Sequence, residues 1–104
     1  MDLPDWLTRE QVDVEPYAGA GVGGPAYGPP VRSRAFVDET RQLVRNAAGK
    51  QVVSTGLVVL PLDAVAELPV DSRLRVRGRD RTALAVVRRD MGDAVPSHWE
   101  VRLA

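Results

Sequence analysis

The sequence predicts an all-β protein: a small antiparallel β-barrel or sandwich of about six to seven strands, with long loops and an extended N-terminal arm. Three observations carry this expectation. Apolar residues recur at every second position in several short segments, as they do when one face of a strand is buried. Nine glycines and eight prolines punctuate those segments at close intervals. No segment has the pattern of a strongly amphipathic helix, although Val37, Thr40, Val44 and Ala48 fall near helical spacing and leave a helix over 37–47 as the alternative.

The elements follow in order. Residues 1–10 form the arm, with Leu3, Trp6 and Leu7 as its apolar anchors. Val12 and Val14 alternate with Gln11, Asp13 and Glu15, which predicts a first strand over 11–17. Residues 18–30 are rich in Gly and Pro and read as a flexible loop. Val31, Ser33, Ala35 and Val37 share one side of a second strand. Residues 40–45 and 51–60 form the arms of a long hairpin whose tip is 46–50, since Asn46 and Gly49 tolerate positive φ. Pro61 ends the second arm, and 62–68 accommodates either one helical turn, for which Asp63 is the candidate N-cap, or an irregular crossing before Pro69. Leu74 and Val76 alternate with Arg73, Arg75 and Arg77 in a further strand, and Gly78, Arg79 and Asp80 turn the chain. Strands over 82–88 and 98–103 complete the set, joined by a loop over 90–97.

The chain has 104 residues, which is room for one domain spanning 1–104. A chain of this size buries about two-thirds of its unfolded surface, so its core is modest. Fourteen basic and fourteen acidic residues cancel, which argues against a globally basic nucleic-acid binder and against a polyanionic tail. Cysteine is absent, so disulfides, thiolate zinc sites and cysteine nucleophiles are excluded. The first residues lack the pattern of a secretion signal and no apolar run reaches membrane-spanning length, so a soluble protein made in the cytoplasm, without membrane contact, is expected.

The zero sum conceals two blocks. Residues 1–31 hold Asp2, Asp5, Glu10, Asp13 and Glu15 against Arg9, a net of minus four. Residues 72–89 hold seven arginines against Asp80, a net of plus six. Opposite blocks on one chain suggest contacts between copies, and the candidate inter-subunit residues are Trp6, Asp13, Glu15, Arg73, Arg75 and Arg77.

Three patterns invite a chemical reading. Gly19, Gly21 and Gly24 match the spacing of a dinucleotide-binding fingerprint, but that motif needs its third glycine to open a helix, and Pro25, Gly28, Pro29 and Pro30 forbid one. His98 and Glu100 lie two apart on one strand face, an arrangement open to acid–base work but more often a polar strand edge. No metal site, cofactor site or serine-nucleophile context is evident. The arginine strand could track a phosphate backbone, yet no aromatic lies between Phe36 and Trp99 to stack bases beside it.

The order of features resembles a known family. The segments concerned are the Trp-Leu-Thr arm at 6–8, Val-Glu-Pro-Tyr at 14–17, Tyr-Gly-Pro-Pro-Val at 27–31 and Ala-Phe-Val-Asp-Glu-Thr-Arg-Gln-Leu-Val-Arg at 35–45. Gly-Lys-Gln-Val-Val-Ser at 49–54, Ala-Val-Val-Arg-Arg-Asp at 85–90 and His-Trp-Glu-Val-Arg-Leu at 98–103 continue the series. Together they resemble the head-to-tail stopper, or head-closure, proteins of long-tailed bacteriophages, particularly those infecting actinobacteria.

The resemblance implies a small β-barrel that assembles as a ring, commonly of about twelve copies, in the neck of the virion. An adaptor beneath the portal would sit above it and a tail-completion or tail-tube protein below. It implies no enzymatic activity and no cofactor, and a loop that approaches packaged DNA. The candidate lumen-facing residues are Arg41, Arg45, Asn46, Gly49 and Lys50. A tail-terminator ring is the near alternative, and a small nucleic-acid-binding barrel using Arg73 to Arg81 is the alternative from another class.

Overall fold

The computed structural model describes residues 10–21, 23–46, 48–89 and 97–104. Among these described residues ten strands are formed: β1 (Glu10–Glu15), β2 (Tyr17–Gly21), β3 (Gly24–Tyr27), β4 (Val31–Asp38), β5 (Gln42–Arg45), β6 (Gln51–Ser54), β7 (Gly56–Pro61), β8 (Arg73–Val76), β9 (Arg79–Arg89) and β10 (His98–Leu103). Six of them close an antiparallel barrel in the order β1-β4-β7-β10-β9-β8, with β8 pairing back onto β1. The all-β expectation therefore holds, and barrel rather than sandwich is the outcome.

The alternation read from the sequence is the alternation that fills this barrel. Val12 and Val14, Ala35 and Val37, Val58 and Leu60, Leu74 and Val76, and Trp99, Val101 and Leu103 are all buried in one core. A barrel this narrow has no lumen, because inward side chains occupy it. Each buried Val or Leu contributes about 1.5–3 kcal/mol through burial. The segment from Leu62 to Ser72 joins β7 to β8, which are separated in the barrel by β10 and β9, so it must cross one end. Val65 and Leu68 from that crossing are buried in the same core, and Trp99 Nε1 donates to the Leu62 carbonyl at 3.2 Å. The expected helical turn is present as a 3-10 turn over Leu62–Ala64, but Pro61 precedes it and Asp63 lies within it without capping.

Two hairpins stand outside the barrel and correct the sequence reading. Residues 18–30 are not simply a loop, since β2 and β3 pair with Tyr17 opposite Tyr27 and Gly21 opposite Gly24. Gly19 and Gly24 take φ of 99° and 117°, which lets a glycine-rich segment bend into a ribbon. The 51–60 arm is not one strand either. Its first half, β6, pairs with β5, and its second half, β7, enters the barrel between β4 and β10. The corner is made at Ser54, whose buried Oγ reaches the carbonyls of Gly56 and Leu103 at 3.0 Å each, while Thr55 N donates to Leu103 O at 3.0 Å. Strand β5 disposes of the helical alternative for 37–47.

The β8–β9 turn also falls one residue earlier than expected. Arg77 and Gly78 occupy it with φ of 51° and 80°, and Arg79 and Asp80 already belong to β9. Two residues at positive φ are what a two-residue hairpin loop of the favoured twist requires. By register, this turn, Glu10, Asp38, Gly56 and Leu103 mark one end of the barrel, from which β5–β6 departs. The β2–β3 hairpin and the Leu62–Ser72 crossing mark the other.

Candidate interaction surface

Barrel closure places β8 against β1, with Asp13 opposite Arg75 and Glu15 opposite Arg73. The acidic start of the chain and the arginine strand therefore form one wall of one subunit. Arg73 Nη2 lies 2.6 Å from Glu15 Oε2, and its guanidinium stacks 4.4 Å from the Tyr27 ring centroid. Tyr27 in turn meets Tyr17 edge to face, with centroids 6.0 Å apart. A second row runs across four strands as Arg32, Asp13, Arg75 and Asp80, with Arg32 to Asp13 at 3.2 Å and Arg75 to Asp80 at 3.6 Å.

Arg77 has left the strand for the turn, and there it is held by two carboxylates. Its Nε and Nη2 donate to Glu10 Oε1 and Oε2 at 2.7 and 2.6 Å, and its Nη1 donates to Glu39 Oε2 at 2.6 Å. Glu39 Oε1 also accepts from Arg81 Nη1 at 3.2 Å, and Arg81 further donates to Thr55 Oγ1 and, at 3.0 Å, to the Ala104 carbonyl. The hydrogen bonds that Arg77 donates lower the pKa of Glu10, and the acceptance of those bonds by Glu10 and Glu39 raises that of Arg77. The hydrogen bond that Arg73 donates to Glu15 likewise raises the pKa of Arg73. The charges that the sequence suggested would meet across a subunit boundary thus find partners inside one chain. This wall is a mixed, nearly balanced lattice rather than a basic stripe, so it does not favour the nucleic-acid reading.

The β5–β6 hairpin offers a different surface. Asn46 organises its tip: its Oδ1 accepts from Ala48 N and Lys50 N at 3.0 Å each, and its carbonyl accepts from Gly49 N at 2.9 Å. Gly49 takes the positive φ of 79° that the sequence reading assigned to it, whereas Asn46 acts through its side chain. Arg45 Nη1 donates to the Gly49 carbonyl at 2.8 Å, and Arg41 and Lys50 are exposed. The cross-strand pair Val44 and Val52 is half-buried, while the adjacent pair, Leu43 and Val53, is exposed at 66% and 51%. A groove of about 210 Å³ is lined by the tip residues Asn46 and Ala48 together with Val70, Asp71 and Leu84.

His98 Nε2 lies 3.0 Å from Glu100 Oε1, and Arg89 Nε is 3.4 Å from the other oxygen. Burial raises the Glu100 pKa, but the hydrogen bonds from His98 and Arg89 outweigh it and leave the carboxyl below its usual range. That arrangement suits an ion-paired strand edge better than a proton donor. The glycines at 19, 21 and 24 lie within β2 and β3, and no helix starts at Gly24. Among the described residues no group of three or more His, Asp or Glu could hold a metal ion. Trp6 lies outside the described residues.

Glu39 and Arg32 were not singled out in the sequence, and Arg81 only as part of the arginine series, because their roles depend on which strands become neighbours. Leu43 and Val53 could have been found there: two adjacent apolar residues in a four-residue strand cannot both face one side. No family model matches the chain, and no curated protein matches it either.

Proposed function

We propose that the chain is a structural virion protein of a tailed-phage neck, a ring subunit that closes the DNA-filled head and joins it to the tail. The order of sequence features that resembles head-to-tail stoppers supports this reading, and a small closed barrel with hairpins at both ends suits it. The observation that carries it is the β5–β6 hairpin, which pairs with no barrel strand and exposes Leu43 and Val53 beside Arg41 and Lys50. Apolar side chains displayed on the outer face of a ribbon beside the barrel serve contact with other protein surfaces rather than turnover of a small molecule. In this reading the chain is not an enzyme and needs no cofactor. Its partners are further copies of itself, an adaptor above and a tail protein below.

Removal of the chain from the virus that carries it tests the proposal. Filled heads and finished tails that fail to join, with joining restored by the chain supplied in trans, are expected. Normal infectious particles in its absence would overturn it.

A further inference from the structure

We infer that copies of the chain join head to tail, with the outer face of the β5–β6 hairpin of one copy seated on the Leu62–Ser72 crossing of the next. This deepens the ring reading and rests on it. The two surfaces are opposite in charge and equal in amount. Residues 41–50 contain Arg41, Arg45 and Lys50 and no acid, a net of plus three, and residues 51–72 contain Asp63, Glu67 and Asp71 and no base, a net of minus three. On the barrel wall several charges are paired within the chain, as Glu15–Arg73 and Glu10–Arg77 show. Asp63, Glu67 and Asp71 are exposed and make no ion pair among the described residues, and the same is true of Arg41 and Lys50.

The apolar components match as well. Leu43 and Val53 lie between the hairpin cations, and half-buried Leu62 and Ala64 lie beside the crossing acids. A two-stranded ribbon alone is marginally stable in water, so a surface that covers one face would also order it. Within one chain the hairpin tip and Asp71 line the same groove, yet no ion pair among the described residues joins the two segments, and Leu43 and Val53 stay exposed. Two different surfaces of the same chain make a heterologous contact, the kind that closes into a ring when its rotation permits.

Two charge-swapped variants test this, Arg41→Glu with Lys50→Glu, and Asp63→Lys with Glu67→Lys. All four positions are exposed, and circular dichroism checks that each variant folds. In sedimentation velocity at low salt and up to millimolar concentration, the wild type is expected to self-associate and to weaken as salt is raised. Each variant alone should sediment as a monomer, because its hairpin and its crossing then carry the same sign. An equimolar mixture should recover association, since each hairpin meets a crossing of opposite sign. Wild-type-like association of either variant alone, or a mixture that stays monomeric, would overturn the contact while leaving the ring reading intact. A wild type that is monomeric throughout overturns the contact too, and the neck phenotype then judges the ring reading separately.

Discussion

Arg77 and Glu10 face each other fork to fork: two guanidinium nitrogens donate to the two oxygens of one carboxylate at 2.7 and 2.6 Å. The pair ties the β8–β9 turn to the first residue of β1, across the seam where the barrel closes. Glu39 joins the same guanidinium to Arg81, so four side chains from three separate parts of the chain hold one end. Planar bidentate geometry is what lysine cannot reproduce.

Acid should loosen this seam and, separately, the pairing of Glu100 with His98 and Arg89 on β9 and β10. Glu10 and Glu100 have folded pKa values below the ordinary 4.5, so their contribution is present above that value and is lost as pH falls through the folded values. Arg73 and Arg77 are raised, and what they contribute is lost only in strong alkali. Urea midpoints are expected to fall between neutral pH and about pH 3, and Glu10→Gln should flatten that fall. An unchanged pH profile in Glu10→Gln would contradict the assignment.

The β8–β9 turn predicts a backbone effect separable from charge. Gly78 takes φ of 80°, and a Cβ there would meet no atom within 4 Å. Gly78→Ala should therefore destabilise through conformation alone, by about 1–2 kcal/mol. Denaturant titration measures it, and salt should leave the difference unchanged.

The corner between β6 and β7 depends on Ser54. Its Oγ is fully buried between two carbonyls, and Ser54→Ala removes their donor without leaving a large cavity. A loss of about 1 kcal/mol is expected from denaturant titration.

Core truncation should cost more. Leu74 is fully buried, and Leu74→Ala is expected to lose about 2–5 kcal/mol. Against a total of about 5–15 kcal/mol for a domain this size, that loss should show as a large fall in the thermal midpoint.

Much of the barrel was legible because period-two burial is a local property. Val12 and Val14, Leu74 and Val76, and Trp99, Val101 and Leu103 announced their inward faces without knowledge of any partner. The β2–β3 hairpin was hidden because glycine and proline signal irregular backbone, and only the cross-strand Tyr17–Tyr27 pair reveals a ribbon. The break at Ser54 was hidden for the opposite reason, since Val52, Val53, Val58 and Val59 read as one continuous β-branched run. The charge blocks were visible, but their meeting was not: pairing of β8 with β1 joins residues about sixty positions apart, and no local pattern encodes that choice. The hairpin tip was legible through Asn46 and Gly49, although the apolar pair beside it was not singled out.

The exposed hairpin pair separates assembly from folding. Leu43→Thr with Val53→Thr should change stability by no more than about 0.5 kcal/mol per site, because both side chains already face water and threonine keeps the strand preference of this cross-strand pair. The same variant should fail to enter particles.

Electron cryomicroscopy of the neck in virions that carry this chain tests the central claim most directly. A closed ring of six-stranded barrels between portal and tail, with each β5–β6 hairpin lying on its neighbour, is expected. A neck whose density has no place for this barrel would contradict it.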